Sequence, residues 1–333
     1  MERPVSAAIL TTTTNYSLNP KMKNSTQSLC EVPAYFSNVF IIAYSLLFLV
    51  SLVLNCIIMR VYFCNDHRVQ SSARVYMKNL IVADFFFCPS LLLRIASYAD
   101  YTEIMCNIYC SFGAAAFYIN MYASIFFMDF IAVNRYLKIV RPLETHTLQT
   151  VRTARYISSA IWFFLLVIAS VYVILYLSTS WDENCDAFTC EPRKSSQVSV
   201  MYKSIHCVAL MFFIFLLTSL LFLYWKTLKK LREVQLSTQT DFNREKLTKS
   251  KRNMLVLVVI FCVCFVPYHL VRLPYTFITP LLNDCTSIDG LYILKEASIL
   301  LVALNVSLDP LIYFFFSKAF REQINLMSCR NCP

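Results

Sequence analysis

The stretch from Phe265 to Phe277, FVPYHLVRLPYTF, is apolar enough to lie in a bilayer, yet it carries His269 and Arg272, and Lys295 follows in LYILKEASILL. Positions i and i+3 share one face of a helix, so His269 and Arg272 point the same way, and Tyr275 extends that face by a turn. His206 adds a further ring nitrogen, while Arg94 and Lys203 either join this basic layer or snorkel to the membrane interface. Ionisable groups inside a membrane segment cost about 2.5–3.5 kcal/mol each on insertion scales, so a cluster of them implies binding. Guanidinium groups hold phosphate or carboxylate bidentately, and tyrosines stack on flat rings. Tyr118 and Tyr122, at i and i+4 in FYINMYASIFF, supply such rings. The chemistry expected is capture of an anionic ligand carrying a flat ring. Glu296 could pair with Lys295, although adjacent helix positions point in different directions.

A second layer lies deeper: Asp84 in NLIVADFFF and Asp309 in NVSLDPLIY, with Asn120, Ser124 and Asn305 at comparable depth. Two carboxylates in a low dielectric repel unless a monovalent cation, sodium above all, or a shared proton lies between them. A hydrogen-bonded water network without an ion is the other reading. Catalysis is not expected. The four histidines at 67, 146, 206 and 269 are scattered, two of them on the cytoplasmic side, and no nucleophile–base pair or metal spacing accompanies them.

The elements that must position these groups are legible in composition. The chain has 333 residues, 58% of them hydrophobic and 15% charged, with a mean hydropathy of +0.55; these values lie outside the range of soluble domains. A helix needs about 20 largely apolar residues to cross the hydrocarbon core. Seven segments qualify, near 35–62, 75–97, 106–134, 156–178, 202–226, 253–278 and 290–316. The fold class expected is an all-α membrane protein, a seven-transmembrane helix bundle at 35–317. An extracellular tail at 1–34 precedes it, and a short amphipathic eighth helix with a cytoplasmic tail follows at 318–333. No internal repeat marks the halves of a transporter.

Positive charge fixes the orientation. Most of the 30 Lys and Arg fall in one set of alternate loops and the C-terminus, above all in WKTLKKLREVQ and REKLTKSKRN, whereas WDENCDAFTCE is acidic. The N-terminus is therefore outside, and the net charge of +10 reflects a cytoplasmic face beside anionic lipid rather than a nucleic-acid surface. The first thirty residues hold no signal-peptide core, so the first span is expected to direct insertion. Asn15 and Asn24 open glycosylation sequons in that tail. Cys329 and Cys332 follow SKAFREQINLM, a stretch suited to lie on the membrane with acylated thiols or to end as a frayed tail with free ones.

Several motifs occur in order across these segments: Asn55, LIVAD ending at Asp84, Cys110 ahead of NRY at Arg135, Trp162, FVP at Pro267, and DPLIY from Asp309 to Tyr313. Together they resemble a rhodopsin-like (class A) G-protein-coupled receptor over residues 35 to 325. FYINMY, RYLKIVRPL, FVPYHLVRLPYTF and the stretch through LYILKEASILL resemble the purinergic branch, with its ADP and UDP-sugar receptors and orphan relatives. That resemblance implies nucleotide phosphates at His269, Arg272 and Lys295 with Tyr275 alongside, and the base at Tyr118 and Tyr122. It implies a plasma-membrane receptor that engages a heterotrimeric G protein, of inhibitory type, through Arg135, Tyr136 and the inner loops. It also implies a disulfide from Cys110 to the second outer loop and another from Cys30 to Cys285. Cys185 is the preferred partner of Cys110, with Cys190 as rival and Cys106 as an extra thiol able to pair with it.

The sequence departs from the family pattern in places. Asn134 stands where an acid usually precedes Arg135, a change expected to raise basal signalling, and Phe265 stands where many such receptors have Trp. Asp129 in FFMDFIA has no role in this reading. A receptor of the same fold for a lysophospholipid or a carboxylic acid would use the same cations. Such a receptor needs fewer stacking tyrosines and an opening to the bilayer.

Overall fold

A computed structural model describes residues 34–63, 71–99, 102–140, 147–179, 190, 196–237, 241–282 and 284–316. The helices are α1 (Ala34–Phe63), α2 (Ser72–Ala99), the short α3 (Glu103–Ile108), α4 (Ala114–Val140), α5 (Val151–Thr179), α6 (Ser196–Ser237), α7 (Asp241–Ile278) and α8 (Cys285–Phe316). A π-helical turn, Tyr109–Gly113, joins α3 to α4, so those two make one continuous span. Among the described residues seven spans are long and apolar enough to cross a membrane, in agreement with the seven segments read from the sequence. The expected amphipathic helix after residue 317, and Cys329 and Cys332 with it, lie outside the described residues, as do Asn15 and Asn24.

Helices are what a bilayer permits, because every backbone N–H and C=O must be satisfied within the segment. The spans divide by burial. The apolar windows of α2, the third span, α7 and α8 are 56%, 61%, 50% and 50% buried, whereas those of α1, α5 and α6 are 22%, 17% and 17%. The former make the centre and the latter turn Ile42, Leu46, Phe163, Ile174, Met211 and Phe215 to lipid. Aromatic side chains fill the middle: Tyr44, Tyr76, Phe87, Phe127, Phe261, Phe265 and Tyr313 are fully buried. Gly113 sits where the third span meets α2; a Cβ there would lie 2.7 Å from the Tyr109 ring and 3.4 Å from Leu93 Cβ. Its lack of a side chain therefore sets the closeness of the approach that carries Tyr109 inward.

Prolines within helices leave carbonyls without their usual donors. Pro310 cannot donate to the Val306 carbonyl, and Asn55 Nδ2 on α1 supplies the missing hydrogen at 3.3 Å while also donating to Ser51 O at 2.9 Å. Beside it, the Ser51 and Ser307 hydroxyls lie 2.8 Å apart. Trp162 donates to Asn79 Oδ1 at 2.9 Å, tying α5 to α2. Asn55→Ala leaves the buried Val306 carbonyl without the donor that replaces Pro310. It is expected to cost about 1–3 kcal/mol, measured as a lower midpoint of thermal unfolding in detergent. Asn55→Asp, which accepts but does not donate, is expected to cost at least as much.

Candidate functional site

The outer halves of α7 and α8 bring Arg272 and Lys295 to one tyrosine. The Arg272 guanidinium carbon lies 5.8 Å from the centroid of the Tyr275 ring, and Lys295 Nζ lies 4.9 Å from the same centroid. Both cations point into the bundle, 8% and 4% exposed, so neither snorkels to lipid. The local charge is held by rings rather than by acids on the α7 side. Arg272 donates to the Tyr202 hydroxyl and to His206 Nε2, 3.4 Å away. A guanidinium only donates, so His206 accepts at Nε2 and carries its hydrogen on Nδ1. Among the described residues no carboxylate lies within ion-pair distance of Arg272. Lys295 Nζ also lies 4.5 Å from the Tyr292 ring.

His269 takes a different place from the one its spacing suggests. Its Nδ1 donates to the Phe265 carbonyl at 2.9 Å, its Nε2 accepts from Tyr122 at 3.3 Å, and its ring stacks on Phe213 with centroids 3.7 Å apart. Both nitrogens are thus engaged one turn inward of Arg272, and His269 with Tyr122 forms the floor of the basic cluster. Tyr118 stands above that floor with its ring edge-on to His206, centroids 5.9 Å apart, and it also meets Tyr172. Tyr118, His206, Arg272, Tyr275 and Lys295 therefore form one connected set, with Tyr122 and His269 beneath.

Glu296 does pair with Lys295, and it is central to the other half of the cluster. Its Oε1 lies 3.0 Å from Lys295 Nζ, and its Oε2 accepts from Arg94 and from Tyr44 at 3.1 Å. A four-carbon lysine stem spans the angle between neighbouring positions, while Arg94 draws the carboxylate inward from α2. Arg94 is buried, donates to the Tyr109 hydroxyl, and lies among the rings of Tyr44, Tyr98 and Tyr109, so its snorkelling alternative does not hold. A narrow crevice runs beside it, lined by Arg94, Tyr109, Gly113, Phe117 and Ile299. Sequence reasoning missed Tyr44, Tyr109 and Tyr202, whose only signal was a polar tip in an apolar run.

The second outer loop is pinned differently from the preferred pairing. Cys110 is bonded to Cys190, with Cα atoms 5.3 Å apart, and not to Cys185. Cys106, one turn outward on the same face, is disulfide-bonded as well, so two thiols of the third span hold bridges and loop spacing alone does not choose between them. Cys285 is also in a disulfide; Cys30 and Cys185 lie outside the described residues. Cys110→Ser is expected to abolish surface delivery of folded protein, read as loss of signal from an antibody to an N-terminal tag on intact cells. At the start of α8, Asp284 accepts from the backbone and hydroxyl of Ser287 at 3.1 and 2.9 Å, an N-terminal cap that holds its carboxyl below the ordinary carboxylate range.

Deeper, α2, α4 and α8 bring Asp84 and Asp309 against each other, both fully buried. Asn305 donates to Asp309 Oδ2 at 3.1 Å, and Tyr313 approaches Asp84 Oδ2 at 3.5 Å. Asn120 lies beside Asp84, and among the described residues Asp84 Oδ1, Asp309 Oδ1, Ser124 Oγ and Asn305 Oδ1 have no hydrogen-bond partner. Orphans of this kind are rare inside proteins, and these oxygens could be served by a monovalent cation, a shared proton or water. Among the described residues no cluster of His, Cys, Asp and Glu suited to a metal such as zinc occurs.

The model of the "7 transmembrane receptor (rhodopsin family)" matches residues 54–313. The chain belongs to this family. Among its relatives, purinoceptor 14 of Bos taurus is 34% identical over 253 residues, 74% of this chain and 73% of that protein. Purinoceptor 13 of Homo sapiens is 30% identical, covering 88% and 82%, and lysophosphatidic acid receptor 6 of Mus musculus is 27% identical, covering 85% and 82%. The receptor is thus a multi-pass plasma-membrane protein of the purinergic-like branch, a signalling receptor and not an enzyme.

At the inner end of the receptor, Asn134 donates to the Ser72 hydroxyl on α2, the use this chain makes of the position before Arg135. Arg135 and Tyr136 are half-buried at the mouth of the bundle. Asn253 of α7 donates to the Phe315 carbonyl of α8 at 2.8 Å. Asp129 faces α6, where Ser219 donates to it at 3.3 Å.

Proposed function

We propose that the receptor binds an extracellular phosphate-bearing ligand, a nucleotide or nucleotide sugar, and activates a heterotrimeric G protein of inhibitory type. The observation that carries this reading is the convergence of Arg272 and Lys295 on Tyr275. Two cations at one ring offer charge for phosphate, and Tyr118 and Tyr122 beside them offer rings for a base. The likeness to two purinoceptors supports it. The likeness to lysophosphatidic acid receptor 6 favours a second reading, a lysophospholipid whose phosphate uses the same cations.

Because both cations are buried, a ligand reaches them only when the outer ends of α6, α7 and α8 part. Binding is therefore coupled to rearrangement, and ligand affinity biases the population of bundle packings. Pro267 and Pro274 in α7 and Pro310 in α8 are the points where those helices bend most readily. A sodium ion between Asp84 and Asp309 would hold α2 and α8 in the packing described here, with Asn120, Ser124 and Asn305 as further ligands. Arg135 and Tyr136 would meet the G protein when α7 swings away from α8.

The test is a screen of G-protein activation with nucleotides, nucleotide sugars and lysophospholipids on receptor-bearing membranes. Activation by a nucleotide diphosphate or its sugar conjugate, and none by the matching nucleoside, is expected. Activation by lysophospholipids alone would replace this reading with the second.

A further inference from the structure

Among the described residues, two of the buried cations at the outer end already have an anion. Glu296, 1% exposed, holds Lys295 on one oxygen and Arg94 and Tyr44 on the other, so its lone pairs meet three donors from α1, α2 and α8. Arg94 cannot turn elsewhere, boxed as it is by Tyr44, Tyr98 and Tyr109. Lys295 can. Its flexible stem places Nζ between the Glu296 carboxylate and the Tyr275 ring that it shares with Arg272. Any anion that approaches Arg272 therefore meets a lysine whose charge is already compensated.

We infer that Glu296 is a tethered counter-ion that competes with the ligand for Lys295 and so sets the charge a ligand must carry. This inference rests on the anion-site reading above and deepens it. A ligand whose charge sits on one group is held at Arg272 but gains nothing by exchanging places with Glu296, since one anion–ammonium contact replaces another. A ligand with charge on two neighbouring groups, as in a diphosphate, contacts Arg272 with one and Lys295 with the other. Glu296 then stays on Arg94, and the net positive charge of the four-residue cluster, three cations against one carboxylate, is balanced. The carboxylate is thus a selectivity device: it weakens the binding of every anion, and of single phosphates or carboxylates most.

The probes are inorganic pyrophosphate and orthophosphate, titrated against the thermal unfolding of full-length purified receptor at fixed ionic strength. In the wild type, pyrophosphate is expected to half-saturate at a concentration at least tenfold below that of orthophosphate. In Glu296→Gln both are expected to bind more tightly, with orthophosphate gaining the more, so that the ratio falls to about threefold or less. Tyr44→Phe removes a donor to Glu296 without touching its charge and is expected to leave the ratio unchanged. Should Glu296→Gln fail to fold, Glu296→Asp shortens the reach to Lys295 and is expected to shift the ratio in the same direction by a smaller factor. If pyrophosphate binds the wild type through Arg272 but Glu296→Gln leaves the ratio within twofold of wild type, or weakens both ions, Glu296 is a structural tie only and the inference falls alone. If pyrophosphate stabilises no form, or stabilises Arg272→Ala as well as wild type, the anion-site reading itself falls.

Discussion

Arg272→Ala is expected to lower the potency of a phosphate-bearing agonist by roughly 30- to 1,000-fold. That range follows from about 2–4 kcal/mol for removing one partner of a desolvated charge contact, at about 1.4 kcal/mol per tenfold. Arg272 has this weight because, among the described residues, its charge is met by tyrosines and His206 and by no carboxylate. A neutral hydroxyl or ring gives way to a phosphate at little cost, whereas an acid would not. Arg272→Lys keeps the charge but loses the planar fork, and it is expected to recover at most about tenfold of the loss. The readout is the concentration–response curve for G-protein activation, normalised to surface receptor. Wild-type potency in Arg272→Ala would exclude it from the ligand site.

Asp84→Asn is expected to make the response insensitive to sodium. In the wild type, replacing an impermeant organic cation by sodium at constant ionic strength is expected to lower agonist affinity several-fold. An ion that prefers the packing in which Asp84 and Asp309 face each other opposes any rearrangement the agonist favours, and linkage makes that opposition reciprocal. The same variant removes the repulsion between the carboxyl groups, so the fold is expected to be at least as stable as the wild type without sodium. The comparison is agonist affinity with and without sodium in both forms. A wild type indifferent to sodium would mean that the layer shares a proton or holds water instead.

The fold was legible because its cause is local. Apolar length alone marks a span, and seven such lengths with a charge bias set topology and orientation before any contact is known. The motif residues were legible for a similar reason: Asn55 and Pro310 mark their helices however the bundle packs. What the sequence did not carry is which way each polar side chain turns. His269 and Arg272 share a helix face, yet one is absorbed by Phe265, Tyr122 and Phe213 while the other faces Tyr202 and Tyr275. Spacing gives an angle about one helix axis, and the partner depends on six other axes. Lys295 and Glu296 show the converse, since side-chain length overrode the angle between them. Cys110 shows a third limit, because two loop cysteines five residues apart satisfy the same span, and tertiary position alone selects Cys190.

Cations from α7 and α8 meet at Tyr275, where they are proposed to hold a negatively charged ligand. The most direct test of that role is an electron cryo-microscopy map of the receptor bound to the phosphate-bearing agonist that the screen identifies. The account predicts phosphate density within hydrogen-bonding distance of both the Arg272 guanidinium and Lys295 Nζ, beside the Tyr275 ring. Phosphate bound elsewhere, with Arg272 still closed on Tyr202 and Lys295 still closed on Glu296, would contradict it.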